Sequence, residues 1–272
     1  RMNRLPLSGW IGAIIVGCTV LLALVSLVWT PYDPVHAVPA DRLLGSSVEH
    51  LMGTDRYGRD VFSRIMSGAQ ITLFVGLVAV GISALIGVPL GILAGMRLGW
   101  AETLIMRGMD LTLAFPALLL AIVAGAAFGA STLTAMIAIG IAGIPGFARV
   151  ARAGTLQVMT QDYIASARVS RVPGIVIAQR HVLPNIAGVI IVQASVAFAL
   201  AILAEAALSF LGLGTSPPDP SWGRMLQSAQ ASLGSAPQLA LWPGLAIALT
   251  VLGFNLLGDG LRDVLDPSRR RR

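Results

Sequence analysis

Long apolar runs separated by short polar stretches dominate this chain. Six runs stand out, over residues 10–30, about 71–96, 104–128, 131–148, 186–208 and 239–257. Each is rich in Leu, Ile, Val and Ala, and a helix needs about 20 such residues to cross the hydrocarbon core of a bilayer. At roughly −0.3 to −0.6 kcal/mol per central Leu, Ile, Val or Phe, these runs favour insertion. The third carries Arg107 and Asp110 near its start, which places its apolar core at residues 111–128. The pattern therefore predicts an all-α, polytopic transmembrane helical bundle of six spans. Residues 1–4 add a basic flank to the first run, which reads as an uncleaved span. Its 21 residues exceed the usual 7–15 of a signal-peptide core, and no A-x-A site follows.

Within the runs, small residues recur at helical spacing. Gly87, Gly91 and Gly95 form one such row and suit a close helix contact. Pro89, Pro116, Pro145 and Pro243 fall inside apolar runs and predict kinks, tolerable where neighbouring helices or water recover the freed backbone groups. Such helices suit a moving gate and a static bundle alike. Polar residues inside the membrane are few. Gln193 and Asn255 are expected to make interhelical hydrogen bonds. Arg107 and Asp110, three apart on a helix, are expected to form a local ion pair. Glu205 lies within a turn of Ser209 near the end of the fifth run. Two readings stay open for it, a pathway-lining carboxylate or a group facing water at the interface.

Charge placement gives orientation. All 19 basic residues are arginine. With the N-terminus in the cytoplasm, fourteen of them lie inside and five (Arg42, Arg56, Arg59, Arg64, Arg224) outside. Both termini are then cytoplasmic in a multi-pass membrane protein, and the Arg269–Arg272 run is an inside anchor near anionic headgroups. The predicted organisation is a cytoplasmic N-terminus (1–9), a first span (10–30) and an extracytoplasmic segment (31–70). A core follows (71–257), with a cytoplasmic loop at 150–185 and an extracytoplasmic loop at 209–238, and then a cytoplasmic tail (258–272). The 209–238 loop carries Pro217, Pro218, Pro220 and Trp222. It reads either as a lip over the mouth of a pathway, with Trp222 at headgroup level and Ser209 and Phe210 beside it, or as a plain connection.

Composition agrees and narrows the chemistry. The chain is 56% hydrophobic and 12% charged, against about 25% charged in a soluble domain. Without lysine, neither a Schiff base nor a G-x-x-x-x-G-K-[ST] phosphate loop is possible, so the chain binds no ATP through a loop of that kind. His36, His50 and His181 are scattered, no H-E-x-x-H or G-x-S-x-G occurs, and no metal site or catalytic residue is expected. Cys18, the single cysteine, is expected to pack as a small buried hydrophobe. Nucleic-acid binding is not expected of so apolar a chain.

One polar segment stands apart. Between the fourth and fifth runs, residues 162–185 hold Asp162-Tyr163-Ile164-Ala165-Ser166-Ala167-Arg168 and end His181-Val182-Leu183-Pro184-Asn185. These are helix-forming residues outside the bilayer, which reads as a short docking helix. Ala165, Ser166 and Ala167 would let a partner backbone approach closely, and Arg168 could pair bidentately with a partner carboxylate.

Several strings together resemble the inner-membrane permease subunits of bacterial ABC importers, in the C-type subunit of the dipeptide, oligopeptide and nickel group. They are Gly53-Thr54-Asp55 with Gly58-Arg59-Asp60, Phe115-Pro116-Ala117-Leu118-Leu119-Leu120, Ser209-Phe210-Leu211-Gly212-Leu213-Gly214 with Pro220-Ser221-Trp222-Gly223, and Gly258-Asp259-Gly260-Leu261-Arg262-Asp263 ending Asp266-Pro267. The resemblance covers about residues 51–267. It implies a type I ABC importer permease-like fold in which 162–185 is the EAA loop, whose short coupling helix sits in a groove of a cytoplasmic ATPase. Asp162, Tyr163, Ala167, Arg168, His181, Leu183 and Pro184 match its pattern. Ala165 stands where Glu is frequent, Ser166 replaces an Ala, and Arg171 replaces the usual Gly. With Arg171 in place of a turn-permitting Gly, Pro173-Gly174 is expected to break the helix, which would run about half a turn longer. Asp55, Arg59, Asp60, Asp259, Arg262 and Asp263 are expected to be structural. The implied partners are a second, different permease, one or two ATPase subunits that bind ATP and Mg, and an extracytoplasmic solute-binding protein. The implied cargo is short peptides, with nickel or a haem-like molecule as alternatives. A standalone channel or ion-coupled carrier is the reading from another class, and it lacks the mid-membrane acids and internal repeat such a carrier calls for.

Overall fold

The computed structural model describes residues 5–265. Ten α-helices account for most of them: α1 (Leu7–Ser26), α2 (Val61–Met96), α3 (Trp100–Leu113), α4 (Ala117–Phe128), α5 (Thr132–Met159), α6 (Asp162–Val169), α7 (Gly174–Ile177), α8 (Leu183–Phe210), α9 (Trp222–Ala229) and α10 (Gln238–Leu265). A π-helical turn over Ala178–Val182 joins α7 to α8. Pro184 has no N–H to donate, and the wider turn takes up the mismatch in an otherwise continuous helix from Gly174 to Phe210. Five helical stretches are long and apolar enough to cross a membrane, and α3 with α4 makes a sixth if the bent pair is one span.

The kink expected at Pro116 is a sharp break in the third apolar run. α3 and α4 meet at 79°. Pro116 disfavours helical backbone at Phe115 and lacks the N–H to continue the ladder, so the chain turns there. None of α3 is buried. Its acids reach α5 instead of each other's neighbours: Asp110 pairs with Arg149 at 2.7 Å, and Glu102 takes both Nε and Nη2 of Arg152. The expected Arg107–Asp110 pair gives way to this inter-helix one. At half exposure, the Arg149–Asp110 pair is worth at most about 1 kcal/mol.

α2 and α5 form the central contact. Gly87, Gly91 and Gly95 face α5 so closely that a Cβ on Gly87 would stand 2.6 Å from the Ile144 carbonyl oxygen, and one on Gly95 2.7 Å from the Thr155 Cβ. A Cβ on Gly91 would overlap the Ala148 carbonyl. Higher up, Ser83 Oγ donates to the Gly140 carbonyl at 2.7 Å. The glycine row read from the sequence is thus a backbone-to-backbone seam. A second seam joins α1 to α10, where Gly12 lies against Gly253 and Leu257, Gly9 lies against Gly260, and Thr19 meets Thr250 at 3.3 Å. Cys18, expected to be buried, is exposed on α1.

The starts of α2, α5 and α9 are capped by side chains. Asp60 accepts from Ser63 N at 2.7 Å, Ser131 from Thr134 N at 3.1 Å and Ser221 from Arg224 N at 3.2 Å, each contributing about 1 kcal/mol. Asp60 also holds His50 Nδ1 at 2.9 Å, which ties the segment before α2 to the helix start. α2, α5 and Gly174–Phe210 are longer than their apolar cores, at 36, 28 and 37 residues. The longest pair measures about 54 Å, well beyond a hydrocarbon core of about 30 Å. Their extra turns bury against protein, not lipid. Val61 and Ile65 pack on Trp222, and Thr155 and Val158 lie in the α2–α5 interface.

The seam makes a paired prediction. Gly91→Leu forces α2 off α5 and costs about 3 kcal/mol, whereas Gly81→Ala, with open space around it, leaves the thermal melt in detergent unchanged or raised. Equal melting of both variants would show that the seam does not hold the bundle.

Candidate functional site

α6 is short and buries a single residue, Ile164. Asp162 opens it and Arg168 closes it, so each charge complements the helix dipole, worth about 0.3–1 kcal/mol apiece. Ile164 is fully buried, at 0% exposure. It joins a cluster with Val88 and Ile92 of α2, Phe147 and Ala151 of α5, and Ile186 of α8. Ala167, three residues on, packs on the same cluster. Asp162, Tyr163, Ala165, Ser166 and Arg168 are exposed. A single apolar face thus enters this interior cluster while the other face stays free. The sequence reading put Ala167 on the docking face with Ala165 and Ser166, but Ala167 turns inward beside Ile164, which that reading did not single out; the spacing of three between them was the signal.

The partners expected from the second half of the segment come together. The rings of Tyr163 and His181 lie 5.9 Å apart, and Asn185 Nδ2 donates to the His181 carbonyl at 2.6 Å while standing 3.5 Å from Tyr163 Oη. Leu183 and Pro184 are exposed in the first turn of α8. Beside this corner lies a groove of ≈ 890 Å³, lined by Val88, Ile92 and Met96 of α2 with Ile177, Leu183 and Arg168.

The expected effect of Arg171 is corrected. α6 ends at Val169, and Arg171 itself adopts the left-handed conformation, φ 57°. Val172 N donates to the Ala167 carbonyl and Arg171 N to the Arg168 carbonyl, both at 3.0 Å. This is the paired closure of a Schellman turn, which needs positive φ at that residue whatever its type. The helix is therefore not prolonged, and Pro173-Gly174 instead opens α7.

At the other end of the bundle, the proposed gate residues are mostly interior. α2 and α8 run from the α6 corner to this end, where residues 31–60 and 211–237 cover them. Glu205 is 1% exposed. Its Oε1 accepts from Ser209 Oγ at 2.7 Å, and that oxygen accepts from Thr215 N at 3.1 Å. Glu205 therefore neither faces water nor lines a surface of this chain; it fastens the turn that follows α8. Trp222, expected at headgroup level, is 2% exposed, and its indole N–H donates to the Ile65 carbonyl at 3.0 Å. Ser209 is buried, and Phe210 alone of the four reaches the surface. Trp222 goes inside because it opens α9, whose apolar side fits the gap at Gly68 and Ala206.

The remaining motif residues sort by role. Asp55 accepts from Tyr57 N at 2.8 Å, Arg59 N at 3.1 Å and Arg59 Nε at 2.7 Å, and so shapes its own loop. Asp259 and Arg262 are exposed and Asp263 is half-buried on α10. Asp266-Pro267 and Arg269–Arg272 lie outside the described residues, as do Arg1 and Arg4.

Relief of the strained turn is measurable. Arg171→Gly stabilises the α6–α7 corner by about 1 kcal/mol, because glycine takes positive φ without the Cβ clash. Hydrogen exchange at the Arg171 and Val172 amides reads this as slower exchange; faster exchange would mean that the arginine side chain, not the backbone, holds the corner.

Comparison with known proteins places this geometry. Residues 87–271 match the family model described as binding-protein-dependent transport system inner membrane component. The chain is 43% identical over 270 residues to the dipeptide transport system permease protein DppC of Alkalihalophilus pseudofirmus, covering 99% of this chain and 88% of that one. It is 45% identical over 260 residues to the glutathione transport system permease protein GsiD of Pectobacterium atrosepticum, covering 94% and 86%. In fold it is similar to a chain of the inward-facing MetNI methionine ABC transporter, with a TM-score of 0.60, 16% identity and coverage of 74% of this chain and 95% of that one. By the family model and by these relatives, the chain belongs to the family of binding-protein-dependent transport system inner membrane components.

Proposed function

We propose that this inner-membrane permease subunit forms half of the translocation pathway of an ATP-driven importer of short peptides, and that α6 is the lever through which a separate ATPase drives it. The observation that carries the reading is the two-faced build of α6. Its free face offers Tyr163, Ala165, Ser166 and Arg168, while Ile164 is fully buried among residues of α2, α5 and α8. A partner that grips the free face and moves acts on the interior cluster that holds Ile164, because a packed interior transmits strain. A loosely attached helix would absorb the motion.

The arginine distribution supports a cytoplasmic α6 and cytoplasmic termini, with the 31–60 and 211–237 segments outside. ATP and Mg then belong to the ATPase subunits, a second and different permease completes the pathway, and a solute-binding protein delivers cargo at the outer end. This subunit contributes no catalytic group. Cargo moves by alternating access, as closure of the ATPases displaces the levers and reopens the pathway inward. Short peptides are the cargo class because two relatives are named for a dipeptide and for glutathione, which is itself a short peptide.

Arg168 is an exposed charge in the last turn of α6, so its reversal is the direct test. Arg168→Glu reduces the ATPase recovered with the chain from detergent-solubilised membranes about tenfold, equivalent to about 1.4 kcal/mol, while membrane insertion is unchanged. Equal recovery with both forms would remove Arg168 from the interface; recovery of no ATPase with either would sink the importer reading of α6.

A further inference from the structure

We propose that the end of the bundle opposite α6 holds an oxyanion-binding site, built by Arg56, Arg59, Arg64 and Arg224, that takes a carboxylate- or phosphate-bearing small ligand. The site is independent of the lever role of α6 and of the identity of the ATPase.

A cavity of ≈ 220 Å³ brings these four side chains together, with Asp219 and Ser228 also on its wall. They come from distant parts of the chain: Arg56 and Arg59 from the loop before α2, Arg64 from its first turn, and Arg224 from the first turn of α9. At about 30 Å³ per water in the liquid, the space suits a small oxyanion with a few waters. Arg64 is 3% exposed.

Charge in the cavity is not balanced from within. Two carboxylates stand near four guanidinium groups, Asp219 on the wall and Asp55 beside it. Asp55 is already engaged, accepting from Arg59 through Nε and Nη2, both at 2.7 Å, and from two backbone N–H groups. Its distance to Arg64 Nε is a loose 3.8 Å. Arg64 donates to the Pro34 carbonyl at 2.6 Å, a neutral partner for a buried cation. Arg56 Nε is buried and has no hydrogen-bond partner among the described residues. An orphaned buried donor on a charged group is costly, and a bound oxyanion removes the cost.

The cations are also held in place. Arg56 and Arg59 both lie 4.7 Å from the centre of the Tyr57 ring, and Arg56 Nη2 donates to Tyr57 Oη at 2.6 Å. Gln227 holds Arg224 through Nη1. Two like charges kept on one ring repel each other, and a cation–π contact offsets little of that at an exposed site. An oxyanion between planar guanidinium forks turns the repulsion into paired, charge-assisted hydrogen bonds.

The test uses the full chain in detergent and follows its thermal melt in sodium phosphate against sodium chloride at matched ionic strength. Glycylglycine, its C-terminal amide, and nanodiscs of phosphatidylglycerol or phosphatidylcholine are parallel arms. At tenfold excess over Kd the native chain gains about 4 °C in phosphate, and Arg56→Gln and Arg224→Gln each lose that gain. Arg56→Lys, which keeps charge without the fork, recovers part of it. Glycylglycine acting where its amide does not identifies a carboxylate ligand; a gain confined to phosphatidylglycerol identifies a lipid headgroup at the same site. Identical melts in phosphate and chloride, with no gain in any other arm, or a gain retained by both glutamine variants, would overturn the proposal.

Discussion

Everything in this bundle rests on the close approach of α2 to α5. Between lipid tails, burying apolar side chains offers no advantage of the kind it has in water, so helices associate through packing and hydrogen bonds. Gly87, Gly91 and Gly95 remove the side chains that would keep the backbones apart, and Ala148, Ala151 and Thr155 fill the opposite wall with small groups. Ser83 adds a hydrogen bond across the same seam. Because the two helices touch by backbone, neither can slide without breaking many contacts at once. Val88 and Ile92 of α2 and Phe147 and Ala151 of α5 share one interior cluster with Ile164 and Ile186 of α8.

The two ends of the bundle are built for different tasks. At the α6 end, the helices outrun the apolar zone and present a small polar helix on a firm base. At the other end, loops fold back over the helix starts and are fastened by buried polar groups. His50 and Ser63 meet at Asp60, Ser209 joins Glu205 to Thr215, and Trp222 bonds to the α2 backbone. α2 and the Gly174–Phe210 helix run between the ends without a break. A displacement imposed at one end therefore reaches the other through continuous helix.

Much of this was legible in the sequence. Hydropathy gives the spans because backbone in lipid must satisfy its own hydrogen bonds, leaving helix as the only option for an apolar run. The glycine row on α2 showed its purpose through spacing. What escaped reading depended on contacts distant in sequence. Asp110 prefers Arg149 to Arg107 because α3 leans on α5, which no local pattern reveals. Trp222 and Glu205 look like interface residues until α9 is seen to fold in over Gly68 and Ala206. Pro116 was visible, but the 79° between α3 and α4 could not be read from it. Arg171 shows the limit of substituting by residue type. The turn demands a left-handed residue at that position, and the backbone adopts it even when the side chain disfavours it.

The account stands on α6 being gripped by a nucleotide-hydrolysing partner on its free face. The most direct measurement places a photo-crosslinking amino acid at position 166 in living cells, where Ser166 points away from the buried Ile164 side, and identifies the adduct by mass spectrometry. The account predicts a covalent adduct with an ATP-binding subunit, and none when the same amino acid replaces the fully buried Ile164. Adducts only with lipid, or with an extracytoplasmic protein, would contradict it.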